Sequence, residues 1–277
     1  MFFLDFQTRM EDNGGEYLGV SASRRLISYP MEVSIAAENL FHIGGFPVTN
    51  TLIMTLIVSL LVMSLAFVLK GRLKQVPRGL QNVAEALIEA LWSFTMEVTQ
   101  DKRLARISFP LIATIFIFIL FSNWIGLLPG MGTVGLLHGE HSIIPFIRSG
   151  SADLNMTIAL SVIVVFSVQF IGISTIGVVK YGKKFFINPF HKPYFVGSFV
   201  GLLELLSEVT RMVSFSFRLF GNVFAGEVLL IVMLHLMPYL LPVPFLLIEV
   251  FVGFVQAAVF ALLSLVFVKM ATLEGEH

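Results

Sequence analysis

The sequence contains no cysteine. That excludes disulfides, thiolate metal sites, iron–sulfur ligation and a cysteine nucleophile. Charge is also scarce: charged residues make up 13% of the 277, against roughly 25% in soluble domains. Eighteen basic and eighteen acidic residues cancel, so there is no case for a nucleic-acid binder. No glycine run precedes a Lys-Ser or Lys-Thr pair, so a Walker-type phosphate loop is missing. The Gly-rich stretch 129–135 has no lysine after it and reads as a membrane-edge loop. Neither a Ser-His-Asp arrangement nor metal-ligand spacing stands out, so no cofactor and no hydrolytic chemistry are expected of the chain itself. No basic segment followed by an apolar run marks a cleaved signal peptide. There is no solenoid-type repeat and no low-complexity tract.

Apolar side chains are what the sequence has in excess: 56% of residues, with a mean hydropathy of +0.88. Thirty-six charged residues cannot make a polar shell for a soluble fold of this length. The expected solvent is lipid. Residues 1–49 are mixed in character, with six acids and three bases, and are expected to form an outer-side segment. Residues 50–277 are expected to form an all-α, polytopic membrane domain. Its spans fall at about 51–70, 107–128, 154–179, 194–237 and 245–271. Between the first two, residues 79–101 are apolar at helical spacing, interrupted by Glu85, Glu89 and Glu97. That pattern predicts an amphipathic helix on the membrane surface or against partner helices.

Orientation follows from the bases. Twelve of the eighteen lie in 70–106, in 180–192 or at Lys269; four lie in the N-terminal region and the 128–153 loop. The positive-inside rule then puts the N-terminus outside and the C-terminus inside, a parity that five spans satisfy.

The other two bases, Arg211 and Arg218, lie within the apolar segment 194–237, as do Glu204, Glu208 and Glu227. Each intramembrane charge costs on the order of 2.5–3.5 kcal/mol even on a lenient insertion scale. At about 100° per residue, Arg211, Arg218 and Asn222 fall within roughly 40° of the line through Glu204, with Ser207 and Glu208 flanking and Ser214 to one side. The stripe runs about 27 Å at 1.5 Å per residue, close to the thickness of a bilayer core. Glu227 falls about 140° away. On the last helix, Glu249 and Gln256 are seven residues apart and share a face.

Two readings compete. In the plainer one, Arg211 neutralises Glu204 or Glu208 as a register-fixing buried pair, and Glu249 and Gln256 are helix–helix glue. That account fits Arg218 poorly, since no acid lies three or four residues from it. Its carboxylate partner must come from another helix or another chain. In the functional reading the stripe passes protons or cations. A guanidinium stays charged in proteins, so Arg218 is a fixed positive charge rather than a carrier. A carboxyl group arriving beside it would release a proton, because an opposite charge within ~4–6 Å lowers a carboxylate pKa by about 1–3 units.

The block Ser216-Phe217-Arg218-Leu219-Phe220-Gly221-Asn222-Val223-Phe224-Ala225-Gly226-Glu227 resembles the RLFGN-x-(aromatic)-AGE block of the F-type ATP synthase subunit a family. Phe109 to Ile112, Phe121 to Gly130, Ala152 to Asn155 and Gln256 with its surrounding helix are similar to further family segments. The resemblance runs from about residue 41 to the C-terminus. It implies that Arg218 is the essential arginine facing a carboxyl-bearing c-ring. It implies that Asn222, Glu227, Glu249 and Gln256 line an outer half-channel, and Glu204, Ser207 and Arg211 an inner one. Asn123 is implied as a supporting polar position of the neighbouring helix, with Glu208 and Ser214 beside the inner path. It further implies that the last two helices are long and steeply tilted. The implied partners are c-ring proteolipids, peripheral-stalk b subunits, the F1 sector and the lipid bilayer; the implied place is a bacterial inner membrane. The family often pairs a Glu with a His at the positions of Glu227 and Glu249, whereas this chain has Glu at both, a coupled pair if close. His235, further along, reads either as a substitute or as an ordinary structural histidine. Outside the resemblance, an independent transporter or channel and a purely structural assembly subunit stay open as alternatives.

Overall fold

The structure is a computed structural model. It describes residues 37–71, 74–128, 135–138, 142–145, 148–185, 196–237 and 242–273. Most of the expected N-terminal segment, the glycine-rich 129–134 loop, Lys192 and the turn around Pro238 lie outside the described residues. Nearly everything described belongs to one compact unit, Val33–Leu136 with Ile144–His277. The strands β3 (Gly135–His138) and β4 (Ser142–Pro145) pair with each other.

Chain order begins with an antiparallel hairpin, β1 (Asn39–Ile43) and β2 (Phe46–Thr49). Its turn is made by Gly44 and Gly45 at φ +56° and +88°, a region that favours glycine because it lacks Cβ. The helices follow: α1 (Asn50–Gly71), α2 (Leu80–Thr99), α3 (Lys102–Gly126), α4 (Leu154–Ile176), α5 (Val178–Phe185), α6 (Val196–Leu236) and α7 (Pro242–Leu273). A single 3-10 turn, Gly150–Ala152, precedes α4. Five helices are long and apolar enough to cross a membrane. The protein is therefore an all-α polytopic membrane protein with small β elements.

Several boundaries differ from the sequence reading, for local chemical reasons. The second span starts at Lys102, not 107, because Asp101 caps it: its carboxylate accepts from the Arg103 amide at 2.8 Å. The basic first turn is thus part of the helix. The third span ends at Ile176, not 179. Gly177 adopts φ +94° there, and the chain restarts as the short cationic helix α5. Asp153 caps α4 through the Asn155 amide at 2.9 Å, and it also accepts from the Thr51 hydroxyl at 2.8 Å, tying the start of α1 to the start of α4.

The core forms where α3, α4, α6 and α7 meet, around Ile112, Ile119, Val164, Leu219, Phe260 and Leu265. α3 lies chiefly against α7, where Gly253, Ala257 and Ala261 keep one face small. A Cβ at Gly253 would sit 3.2 Å from the Asn123 side chain. Small residues of this kind allow close helix approach without a hydrophobic drive from water. By contrast α1 is exposed over most of its apolar surface, as suits a helix solvated by lipid. The 41 residues of α6 run about 61 Å at 1.5 Å per residue. That is about twice the roughly 30 Å hydrocarbon core, so α6 must tilt across a bilayer or project beyond it.

α2 is amphipathic as expected. It buries Leu91, Thr95 and Thr99 against α3 and α7 and leaves Leu80, Val83 and Ile88 exposed. Lys269 of α7 donates to the Val98 carbonyl at 2.8 Å, satisfying an acceptor at the C-terminal end of α2.

Candidate functional site

The polar stripe of α6 is real in three dimensions, and its lower half is closely paired. Arg211 donates to Glu208 at 2.7 Å and lies 3.6 Å from Glu204. Its guanidinium also sits 4.8 Å above the ring of Phe267 on α7, an attractive cation–π placement. The plainer expectation for Arg211, pairing with Glu204 and Glu208, is thus met. Beside this cluster, α6 and α7 enclose a cleft of about 410 Å³. Ser207, Arg211, Ser214 and Arg218 line it, with Leu206 and Phe267 among its apolar walls.

Arg218 is different. It is half-buried, and its hydrogen bond is to the Ser214 hydroxyl at 3.4 Å. Among the described residues no carboxylate pairs with it. Leu203 and Leu206, which line the same cleft, and the adjacent Phe217 stand exposed on this helix, so the cation has uncovered apolar side chains beside it.

Beyond Arg218 the polar groups change partners. Asn222 donates to Gln256 across the α6–α7 contact at 2.6 Å. Asn123 of α3 donates to the Gly253 carbonyl at 3.2 Å, and Trp124 to the Val250 carbonyl at 3.0 Å. Asn123 Oδ1 and Gln256 Nε2 are buried without a hydrogen-bond partner among the described residues. Glu249 is buried and lies directly over Gly226; a Cβ there would overlap its carboxylate. The AGE triplet therefore contains a glycine because a carboxylate occupies the space.

Glu227 turns away from the stripe, as its helical angle requires, and meets Arg148. The guanidinium donates through Nε at 3.1 Å and Nη2 at 3.0 Å, and Arg148 is 7% exposed. Sequence reasoning counted Arg148 only as a loop charge. The one signal available was that it is the sole base in a long stretch otherwise without bases. Also missed was Glu38, at the base of the β1–β2 hairpin. Hydroxyl contacts were missed as well: Thr157 with Ser216 at 3.1 Å and Ser151 with Ser122 at 3.4 Å, for which the sequence offers no signal beyond composition. His235 lies in α6, but its side chain is outside the described residues.

The predicted outer group is therefore not one cluster. Asn222 and Gln256 touch, Glu249 sits over the residue before Glu227, and Glu227 is committed to Arg148. Of the predicted inner group, Ser207 and Arg211 line one cleft with Ser214, and Arg211 holds Glu204 and Glu208.

The family model described as ATP synthase A chain matches residues 51–269. ATP synthase subunit a of Campylobacter jejuni is 32% identical over 251 residues, covering 91% of this chain and 97% of that protein. ATP synthase subunit a of Moorella thermoacetica is 32% identical over 229 residues, covering 83% and 93%. ATP synthase subunit a 1 of Syntrophotalea carbinolica is 34% identical over 241 residues, covering 87% and 91%. With a family match across most of its length and relatives at this identity and coverage, the chain belongs to the ATP synthase A chain family.

Proposed function

We propose that the chain is the proton-conducting stator subunit of an F-type ATP synthase, with two offset half-channels that meet at Arg218. The observation that carries the reading is Arg218 itself: a cation without a carboxylate partner among the described residues, on a half-exposed surface, between two separate polar groups. Glu204 lies about 21 Å from it along the helix and Glu227 about 13.5 Å the other way, at 1.5 Å per residue. A fixed positive charge between two polar paths stops protons running straight through. It also lowers the pKa of any carboxyl group brought beside it. The missing carboxylate is then supplied by a moving partner, a ring of c-type proteolipids docked over Arg218 and the exposed Leu203, Leu206 and Phe217.

Protons enter from outside past Glu227, Glu249, Asn222 and Gln256 and load a ring carboxylate. After the ring has turned they leave inward through the cleft at Ser214, Arg211 and Ser207 and past Glu204, which lies beside Arg211. Each charge moved is worth about 2.3 kcal/mol per 100 mV, so several are needed per ATP. The chain is non-catalytic in this reading and works with b subunits and the F1 sector in a bacterial inner membrane. Residues 50–277 are the membrane domain, with the N-terminus outside and the C-terminus in the cytoplasm.

The test is Arg218→Ala in the assembled complex. Coupled ATP-driven proton pumping is expected to disappear while the c-ring and b subunits still co-purify. Retained pumping would sink the proposal.

A further inference from the structure

Glu38 is the charged group of this region that the proposed pathway leaves unused. It sits at the base of the β1–β2 hairpin, and its carbonyl accepts from the Asn50 amide at 3.1 Å, which fixes it to the start of α1. Its Oε2 is buried and has no hydrogen-bond partner among the described residues. Two charged groups act on it. Arg148, from the segment before the 3-10 turn, favours its ionised form; Glu227, from α6, opposes it. Burial, the largest effect, and Glu227 together outweigh Arg148, so the Glu38 carboxyl is held above the ordinary carboxylate range. The next acid of this side, Asp153, has its two oxygens engaged by Thr51 and Asn155. Glu38 lies outside the segment 51–269 that matches the family model.

We infer that Glu38 is the proton-delivering group at the outer mouth, and that Arg148 is the positioning residue that lets it hand protons to Glu227. This rests on the function proposed above. Before transfer Glu38 is a neutral acid and Glu227 a carboxylate held by Arg148. In the transfer, the O–H bond of Glu38 breaks and an O–H bond forms on Glu227. The Arg148 guanidinium keeps its charge throughout and moves its hydrogen bonds to the new Glu38 carboxylate. Net charge is one positive and one negative before and after. The arginine thus always pairs with whichever acid is ionised, so no bare carboxylate is created in a buried place, where it would cost several kcal/mol. Glu38 is then recharged from the outer medium, and Glu227 passes its proton on.

The sign of the pH dependence follows. Glu38 carries its proton below its raised pKa and loses it as the outer pH rises through that value. Conduction limited by this step falls on the alkaline side.

The experiment measures passive proton uptake by vesicles holding the whole complex stripped of its F1 sector, over a series of outer pH values. Wild type is compared with Glu38→Gln and Glu38→Asp, and chain content is measured by immunoblot. Glu38→Gln is expected to conduct at least about tenfold more slowly, as loss of a positioned proton-transfer group does, and to lose the alkaline fall. Glu38→Asp should recover most of the rate with a displaced midpoint. Wild-type rate and pH profile in Glu38→Gln overturns the inference. So does loss of the chain from the membrane in Glu38→Gln, which makes Glu38 a structural prop. If wild-type vesicles themselves conduct no protons, the preceding function fails instead.

Discussion

Among single residues, Gly226 and Glu249 make the sharpest pair. The carboxylate of Glu249 fills the volume a side chain at position 226 would need. Gly226→Ala should therefore displace Glu249 and lower coupled pumping, with an overpacking cost of about 1–3 kcal/mol. Shortening the partner makes room again. The double variant Gly226→Ala with Glu249→Asp is expected to pump better than Gly226→Ala alone, measured by ATP-driven acidification of inverted vesicles. If the single variant pumps like the parent, the carboxylate is free to move and its place over Gly226 has no mechanistic weight. Arg211 and Arg218 show how the same residue type takes opposite roles. Arg211 is held by two acids and a ring, so its charge is spent locally. Among the described residues Arg218 bonds only a serine hydroxyl, so its field is available to whatever docks beside it.

The helices divide into those that carry polar groups and those that hold them in place. α6 and α7 carry the stripe, and α3 braces α7 through Asn123 and Trp124. Besides its buried face, α2 is held at its end by the reach from Lys269 to the Val98 carbonyl. A cation at a helix C-terminus stabilises it by about 0.3–1 kcal/mol. Lys269→Met is accordingly expected to raise amide exchange in Phe94–Thr99 by about two- to fivefold, the same energy expressed as a ratio of opening constants, while α4 is unchanged. Unaltered exchange there would mean that α2 is held by its apolar face alone.

For the whole molecule, the absence of cysteine becomes an experimental asset. Single cysteines can report sidedness without background. Phe41, Val76 and Val178 are all exposed. With the basic segments inside, Val76→Cys and Val178→Cys should react with a membrane-impermeant thiol reagent only from the cytoplasmic face, and Phe41→Cys only from the outer face. Reaction of all three from one face would contradict five crossings.

Composition and hydropathy alone determined that the chain lives in lipid, that it is helical, and where its five spans lie to within a few residues. With water excluded, backbone groups must pair within each segment, so apolar length converts directly into helix. The 100° spacing likewise determined that Glu204, Arg211, Arg218 and Asn222 share one side of a helix and that Glu227 does not. Boundaries needed cap chemistry: Asp101 and Gly177 moved two of them. What faces each polar group was decided only by tertiary structure. Arg148 and Glu227 are 79 residues apart in the chain, and Asn222 and Gln256 are 34 apart. Periodicity acts within one helix and says nothing about which groups two packed helices bring together, so the split of the outer group, the cleft at Arg218 and the approach of Glu38 appear only once the bundle is assembled.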